Sequence, residues 1–293
     1  MVYNEEIFVV RKGDPMAAEA RKSADVARLR EQARKLRIEI VKMLAESGSG
    51  HTGGSLSAAD IVTALYFYKM RHRVDEPKWP ERDRFILSKG HAAPVLYGAL
   101  ALAGYFDKSL LGNLRKIGCP LQGHPSSKLL SGVEVSTGSL GQGLSIANGI
   151  ALGLKLDKVP ARVYCLLGDG ETQEGQVWEA AMSAGHYQLD NLCAIVDLNS
   201  LQIDGRCEDV MRIDPVGAKW QAFGWNTIEI DGHDMQAIVA ALDVAETVRG
   251  RPTIILAQTV KGKGVSVFED KAEYHGVTPN REELAIALKE LGE

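Results

Sequence analysis

The sequence predicts an α/β fold with a central, mostly parallel sheet flanked by helices, and three observations carry that expectation. Short apolar runs rich in β-branched and aromatic residues recur near 84–88, 162–167, 192–197, 225–230 and 253–258, the pattern of strands buried on both faces. Stretches with helical apolar spacing separate them. Between the runs Arg162–Leu167 and Leu192–Asp197, the segment Gln176–Gln188 places Val177, Ala180, Ala181 and Ala184 on one face. A strand, a crossover helix and a parallel strand form a right-handed unit, which brings the two loops after the strands to one edge of the sheet.

Taken in order, Met1–Asp14 carries Glu5, Glu6 and Asp14 and no apolar core of signal-peptide type, so residues 1–15 are expected to form an extended arm. A long helix is expected from Met16 to Ala45, with Val26, Leu29, Ala33, Leu36, Ile40 and Met43 on one stripe. Its basic residues Arg21, Lys22, Arg28, Arg30, Arg34, Lys35 and Arg37 alternate with Glu19, Asp25, Glu31 and Glu39 and read as a solvated face. Ser57-Ala58-Ala59-Asp60 resembles a capping pair that opens the next helix. Segments 116–139 and 259–281 read as long loops, which inside compact domains are usually functional. A helix around Leu144–Leu156 follows the first of them, and an amphipathic helix, Glu282–Leu291, closes the chain.

Composition narrows the classes. The 293 residues can bury a large core as one domain, 1–293, without internal repeats. A net charge of −4 gives no footprint for nucleic acid. No apolar run approaches the ~20 residues of a membrane span, and the cytoplasm is the expected location. Cys119, Cys165, Cys193 and Cys207 form no Cys-x-x-Cys pair, and two of them fall in core strands.

The chemistry concentrates at two strand ends. Gly168-Asp169-Gly170 closes one apolar run, and Asn199 closes the next, 30 positions after Asp169. By itself Gly-Asp-Gly is an ordinary turn. On adjacent parallel strands, however, Asp169 and Asn199 point toward one spot. A carboxylate, an amide oxygen and a backbone carbonyl near Leu201 are hard ligands of the kind Mg²⁺ takes, with phosphates and water completing its octahedron. Glycines at 168 and 170 leave room for a close phosphate. The glycines of Gly141-Gln142-Gly143, leading into a helix, read as a generic anion site.

Gly168-Asp169-Gly170 followed by Asn199 resembles the thiamine diphosphate fingerprint, and the chain is similar to transketolases in particular. The segments that carry the likeness are Ser49–Ser57, Leu87–Ala92, Gln122–Pro125, Ser136–Gly143, Lys261–Gly264 and Tyr274–Gly276, in the family's order. Ser200 stands where many thiamine diphosphate enzymes carry a second Asn, a position at which transketolases vary. The resemblance implies a thiamine diphosphate-binding fold with Mg²⁺, for which Ca²⁺ or Mn²⁺ can substitute. It implies that Gly168, Asp169, Gly170, Asn199, His91, Gly138, Ser139, Leu140, Glu174 and Lys261 bind the cofactor, with Asp169, Asn199 and the Leu201 carbonyl on the metal. His51, His91, His124 and His275 would be the catalytic histidines: His51 and His275 would flank the reacting carbonyl and hydroxyl, His124 would contact the donor's terminal hydroxyl, and His91 would contact the diphosphate or the intermediate. Glu174 also reads as an acid favoured at a helix start, and Lys261 also reads as an ordinary surface lysine. His72 and His186 read as structural, and His233 is left open as a helix cap.

Transketolases are about twice as long, so the resemblance implies the first half of the enzyme. The partner would be a C-terminal subunit supplying the pyrimidine-binding domain and the activating glutamate, in an α₂β₂ heterotetramer acting on sugar phosphates. Two other classes remain open: an α-type subunit of a 2-oxo acid dehydrogenase, and a non-catalytic scaffold of the same fold.

Overall fold

The computed structural model describes residues 8–9 and 25–293. β1 (Phe8–Val9) lies within the expected arm and pairs in parallel with a later strand. The remainder of the arm, and residues 16–24 of the expected long helix, lie outside the described residues. Helix α1 (Val26–Ser47) is capped by Asp25, whose Oδ1 accepts from the Arg28 backbone N–H at 2.9 Å, and it ends at Gly48 in the left-handed region (φ 60°). The predicted apolar stripe is buried throughout. The solvated basic face holds for Arg28, Arg30 and Lys35 but not for Arg37. Arg37 is buried and grips Asp60 with both Nη atoms, at 3.0 and 2.6 Å. The stripe around it is wide enough that a charge there needed an internal partner.

Helices α2 (Thr52–Ser57) and α3 (Ala59–Ala64) follow. The expected capping pair is absent. Ser57 Oγ donates to the Asp197 carboxylate at 2.6 Å, while Asp60 is spent on Arg37 and His233. Both side chains are drawn inward because charged groups beneath them need partners. β2 (Arg84–Leu87) leads through a short 3₁₀ turn into α4 (Ala93–Ala103), and α5 (Gln142–Leu156) follows a long segment without helix or strand beyond residue 113. β3 (Val163–Gly168), α6 (Gly175–His186) and β4 (Leu192–Leu198) then form the predicted crossover unit, with β3 and β4 parallel and Gly168 beside Asp197.

A small antiparallel ribbon, β5 (Leu201–Gln202) with β6 (Gly205–Arg206), leads into α7 (Cys207–Val210) and α8 (Val216–Ala222). The chain closes with β7 (Asn226–Asp231), α9 (Met235–Thr247), β8 (Thr253–Gln258) and α10 (Arg281–Glu290). The main sheet has the order β1-β7-β8-β4-β3-β2, and every neighbouring pair is parallel. Alternate strand residues pack into two cores. Tyr164, Leu166 and Ile195 meet helices α1, α3, α4 and α9, while Cys165, Leu167 and Val196 meet α5, α6 and α8. All four cysteines are free and buried. The consequence for function is positional: the segments after β2, β3, β4 and β8 all emerge at one carboxyl edge.

His233 is not a cap. Its Nε2 accepts from the Val260 N–H at 2.8 Å, which places the ring proton on Nδ1, facing Asp60 Oδ2 at 2.8 Å. Asp234 caps α9 instead. His72 is structural as expected, bonded to the Tyr66 carbonyl and the Tyr105 hydroxyl. Among the described residues no helix is long and apolar enough to cross a membrane.

Candidate functional site

A cavity of about 170 Å³ opens at that edge, and its lining gathers His91, Leu140, Gly168, Asp169, Gly170, Glu174, Asn199, Leu201, Lys261 and His275. The sequence had placed these residues in separate loops. Gly138, Ser139, His51 and His124 lie outside that lining. Gly138 nevertheless packs on His124, since a β-carbon there would stand 3.2 Å from its ring. A second cavity, about 430 Å³, shares Asp169 but lies against Arg206, Cys207 and Pro215, away from the histidines.

Asp169 sits directly after β3 with 3% exposure. Its Oδ1 accepts from the Gly170 N–H at 2.8 Å and its Oδ2 from the Ser200 N–H at 2.5 Å, so the turn after β4 is folded onto the carboxylate. Ser200 takes a left-handed φ of 63° to do this. Asn199 Oδ1 accepts from the Leu201 N–H at 3.2 Å in the same turn. Burial, then the nearby charge of Asp197, pushes the Asp169 carboxyl up to about 6 despite these two N–H groups. A carboxylate held that high is short of positive charge.

Lys261 is buried, and its ammonium donates to the Leu201 carbonyl and to His275 Nδ1, each at 2.8 Å. The surface reading of this lysine is therefore wrong. Its chain after β8 turns back over Gly53, whose missing β-carbon would stand 2.7 Å from Lys261 Cγ. Burial pulls the Lys261 amine down to about 8, although Asp169 opposes that shift.

The donor set fits a hard divalent cation. Asp169, Asn199 and the Leu201 carbonyl are joined by hydrogen bonds of one turn, and all three supply oxygen. Among the described residues no group of three or more His, Cys, Asp or Glu side chains is placed to hold a metal. A cation taking the Leu201 carbonyl would share that oxygen with the Lys261 ammonium or displace it.

The histidines converge from four loops. Ring centroids of His51 lie 5.1 Å from His91, 5.6 Å from His275 and 6.5 Å from His124, and His91 lies 5.1 Å from His275. Burial, then the Arg115 charge, brings His51 down to about 4. Burial, then Lys261, brings His275 to about 3. Burial and Lys89 hold His91 well below its ordinary value, and burial and Arg115 lower the exposed His124. Near neutral pH all four rings are uncharged, each with one N–H and one bare nitrogen. Such a cluster can donate and accept protons. His51 Nδ1 is buried without a protein hydrogen-bond partner. Arg115 Nη1 donates to Ser49 Oγ at 3.0 Å and overlies Gly123, so it ties the His51 loop to the His124 loop.

Sequence reasoning missed the groups beneath this surface. Lys89 Nζ bonds the Asp197 carboxylate and the Gly54 carbonyl, and Ser57 and Thr259 also donate to Asp197. The available signal was Asp197 itself, a carboxylate at the end of an all-apolar strand, which burial obliges to find a cation. Glu171 was missed as well. Its Oε1 accepts from Ser88 Oγ at 2.5 Å and from the Gly141 N–H at 2.9 Å, and its Oε2 accepts from the Gly168 N–H at 3.0 Å. The generic anion seat expected at the start of α5 is thus filled from within, because Glu171 takes the Gly141 N–H. Glu174 is exposed on the rim at the residue before α6 and makes no side-chain cap bond.

Residues 28–293 match the family model described as transketolase, thiamine diphosphate binding domain. The chain is 44% identical to the 6-deoxy-6-sulfo-D-fructose transketolase subunit of Clostridium sp. (strain MSTE9), covering 90% of this chain and 96% of that protein. It is 40% identical to an apulose-4-phosphate transketolase subunit from Phocaeicola vulgatus, covering 89% and 93%. Transketolase-like protein 2 of Bos taurus is 48% identical over 85% of this chain, which spans only 40% of that longer protein. The transketolase crystal structure from Campylobacter jejuni superposes with a TM-score of 0.87 at 35% identity, covering 92% of this chain and 43% of that one.

Proposed function

This chain belongs to the transketolase family, as its thiamine diphosphate-binding domain, and we propose that it works as the N-terminal subunit of a transketolase assembled from two kinds of chain. With a C-terminal subunit it transfers a two-carbon ketol unit from a ketose, phosphorylated or otherwise anionic, to an aldose. The observation that carries this reading is the single edge at which Asp169, Asn199 and four uncharged histidines meet.

In this reading residues 1–293 form one diphosphate-binding domain. Asp169, Asn199 and the Leu201 carbonyl would hold Mg²⁺, which would supply positive charge for the diphosphate. Gly168, Gly170, His91 and Lys261 would surround the diphosphate, and Gly138, Ser139 and Leu140 would flank the rings. Thiamine diphosphate supplies, when bound, the carbon nucleophile and electron sink that let a carbon–carbon bond next to a carbonyl break and reform. The chain's own groups move protons. His51 and His275 flank the donor carbonyl, where an uncharged ring can give its N–H to a developing alkoxide and another can take the proton of the adjacent hydroxyl. His124 positions the donor's terminal hydroxyl.

Two considerations support the two-chain assembly. The subunits from Clostridium and Phocaeicola are matched over nearly their whole length, whereas the longer relative is matched over 40%. Glu174 on the exposed rim also suits a contact with the partner's activating glutamate in an α₂β₂ assembly. The names of both matched subunits specify an anionic ketose, one a sulfonate and one a phosphate.

The test is ketol transfer from a ketose phosphate to ribose 5-phosphate with thiamine diphosphate and Mg²⁺. It is run with this chain alone and then mixed with the protein encoded beside it. Transfer only in the mixture is expected. Full activity of the single chain would refute the partner requirement, and lipoamide reduction in its place would move the chain to the 2-oxo acid dehydrogenases.

A further inference from the structure

A negative charge is out of place in the wall of a diphosphate pocket, yet Glu171 lines the cavity with 3% exposure. Its carboxylate does not serve a cation directly, because no ion pair forms at Glu171 among the described residues. It accepts instead from three donors on three different segments: Ser88 Oγ after β2, the Gly141 N–H at the start of α5, and the Gly168 N–H at the end of β3. The first two of those segments are packed with no space between them. A β-carbon on Gly143 would stand 2.3 Å from Ser88 Oγ, and one on Gly90 would stand 2.7 Å from Thr137 Oγ1. Thr137 in turn donates to the Leu87 carbonyl at 2.7 Å.

Each of the three segments presents a cofactor-facing residue within a few positions of its bond: His91, Leu140 and Asp169. We propose that Glu171 is a positioning residue that locks these three segments in register before anything binds, an inference that rests on the cofactor reading above. It fills the positive end of α5 itself, so the helix is spent on holding the wall and the diphosphate is left to the metal and Lys261. Three donors converging on two carboxylate oxygens cannot be matched by an amide, which would turn N–H groups toward an N–H.

The test compares the full chain with Glu171→Gln, and with Asn148→Ala as a stability control. Asn148 makes a buried bond to the Ala180 carbonyl at 2.7 Å, remote from the cavity. Amide exchange in the cofactor-free chain should quicken in segments 86–92 and 137–143 of Glu171→Gln but not of Asn148→Ala. With the neighbouring subunit present, thiamine diphosphate with Mg²⁺ should bind Glu171→Gln about tenfold more weakly, the ratio one lost charge-assisted hydrogen bond supports. Asn148→Ala should keep the affinity of the unmodified protein. Unchanged exchange in both segments would overturn the clamp whatever binds. Quickened exchange with unchanged affinity would overturn the positioning role. Failure of the unmodified protein to bind would remove the cofactor reading, and with it the positioning role, while the exchange result still decides the clamp.

Discussion

Lys89, which lines the cavity, forms an ion pair with Asp197 behind it, with 1% and 0% exposure. The pair explains how a carboxylate tolerates the end of an all-apolar strand. Burial alone would raise the Asp197 carboxyl, and Lys89 with the Ser57 and Thr259 hydroxyls holds it below its ordinary value. Removing one partner of such a pair leaves an uncompensated charge. Lys89→Met should therefore cost about 3–5 kcal/mol, read as a lowered urea midpoint with an unchanged slope. A midpoint unchanged within error would show that the hydroxyls alone satisfy Asp197.

Asp60 makes a second prediction, beside the carboxyl ends of β7 and β8. Burial would raise its carboxyl, but Arg37 and His233 hold it down to about 2, against 3.8 for the free group. A depressed folded value contributes stability that is present above 3.8 and disappears as pH falls toward 2. The contribution is about 2 kcal/mol at neutral pH. Asp60→Asn should remove it, and the variant should show a shallower stability loss than the unmodified protein between pH 4 and 2. Parallel acid profiles would refute the pairing.

The histidine cluster has the same sign in a higher pH window. His51 at about 4 and His275 at about 3 both lie below the 6.5 of a free imidazole. Below pH 6.5 the unfolded chain takes up protons that the folded cluster refuses. Stability is therefore full above that value and is lost as pH falls through this window. His51→Asn should flatten the loss between roughly pH 6.5 and 4.5 in equilibrium denaturation. An unaltered slope would mean the ring is more accessible to solvent than the structure shows.

Much of this was legible in the sequence alone. The strands around 84, 162, 192, 225 and 253 were readable because a parallel strand covered on both faces must be apolar throughout, as Val163–Leu167 is. Asp169 and Asn199 were readable because short polar residues ending such runs can only sit at the sheet's edge. Arg37, Lys89 and Glu171 were not, because a charged residue on an amphipathic helix or in a glycine-rich turn usually faces water. Their burial depends on partners at 60, 197 and 88 that local pattern cannot join to them. Lys261 failed for the same reason. Its role follows from a loop that folds back over Gly53, a tertiary fact.

Leu140 offers a test of the wall rather than the metal. It is 37% exposed at the cavity, so the fold gains little from it. Leu140→Ala should leave the unfolding free energy within about 0.5 kcal/mol while weakening thiamine diphosphate binding severalfold, measured by calorimetry. Equal affinities would place the cofactor rings elsewhere.

The most direct measurement is a calorimetric titration of thiamine diphosphate into the chain with its neighbouring subunit, with and without Mg²⁺, for the unmodified protein and for Asp169→Ala. Binding that depends on Mg²⁺ in the unmodified protein and vanishes in Asp169→Ala, with the fold intact by circular dichroism, is the predicted result. Equal, Mg²⁺-dependent affinity in both proteins would contradict the assignment of Asp169 and the turn at Asn199 as the seat of the cofactor.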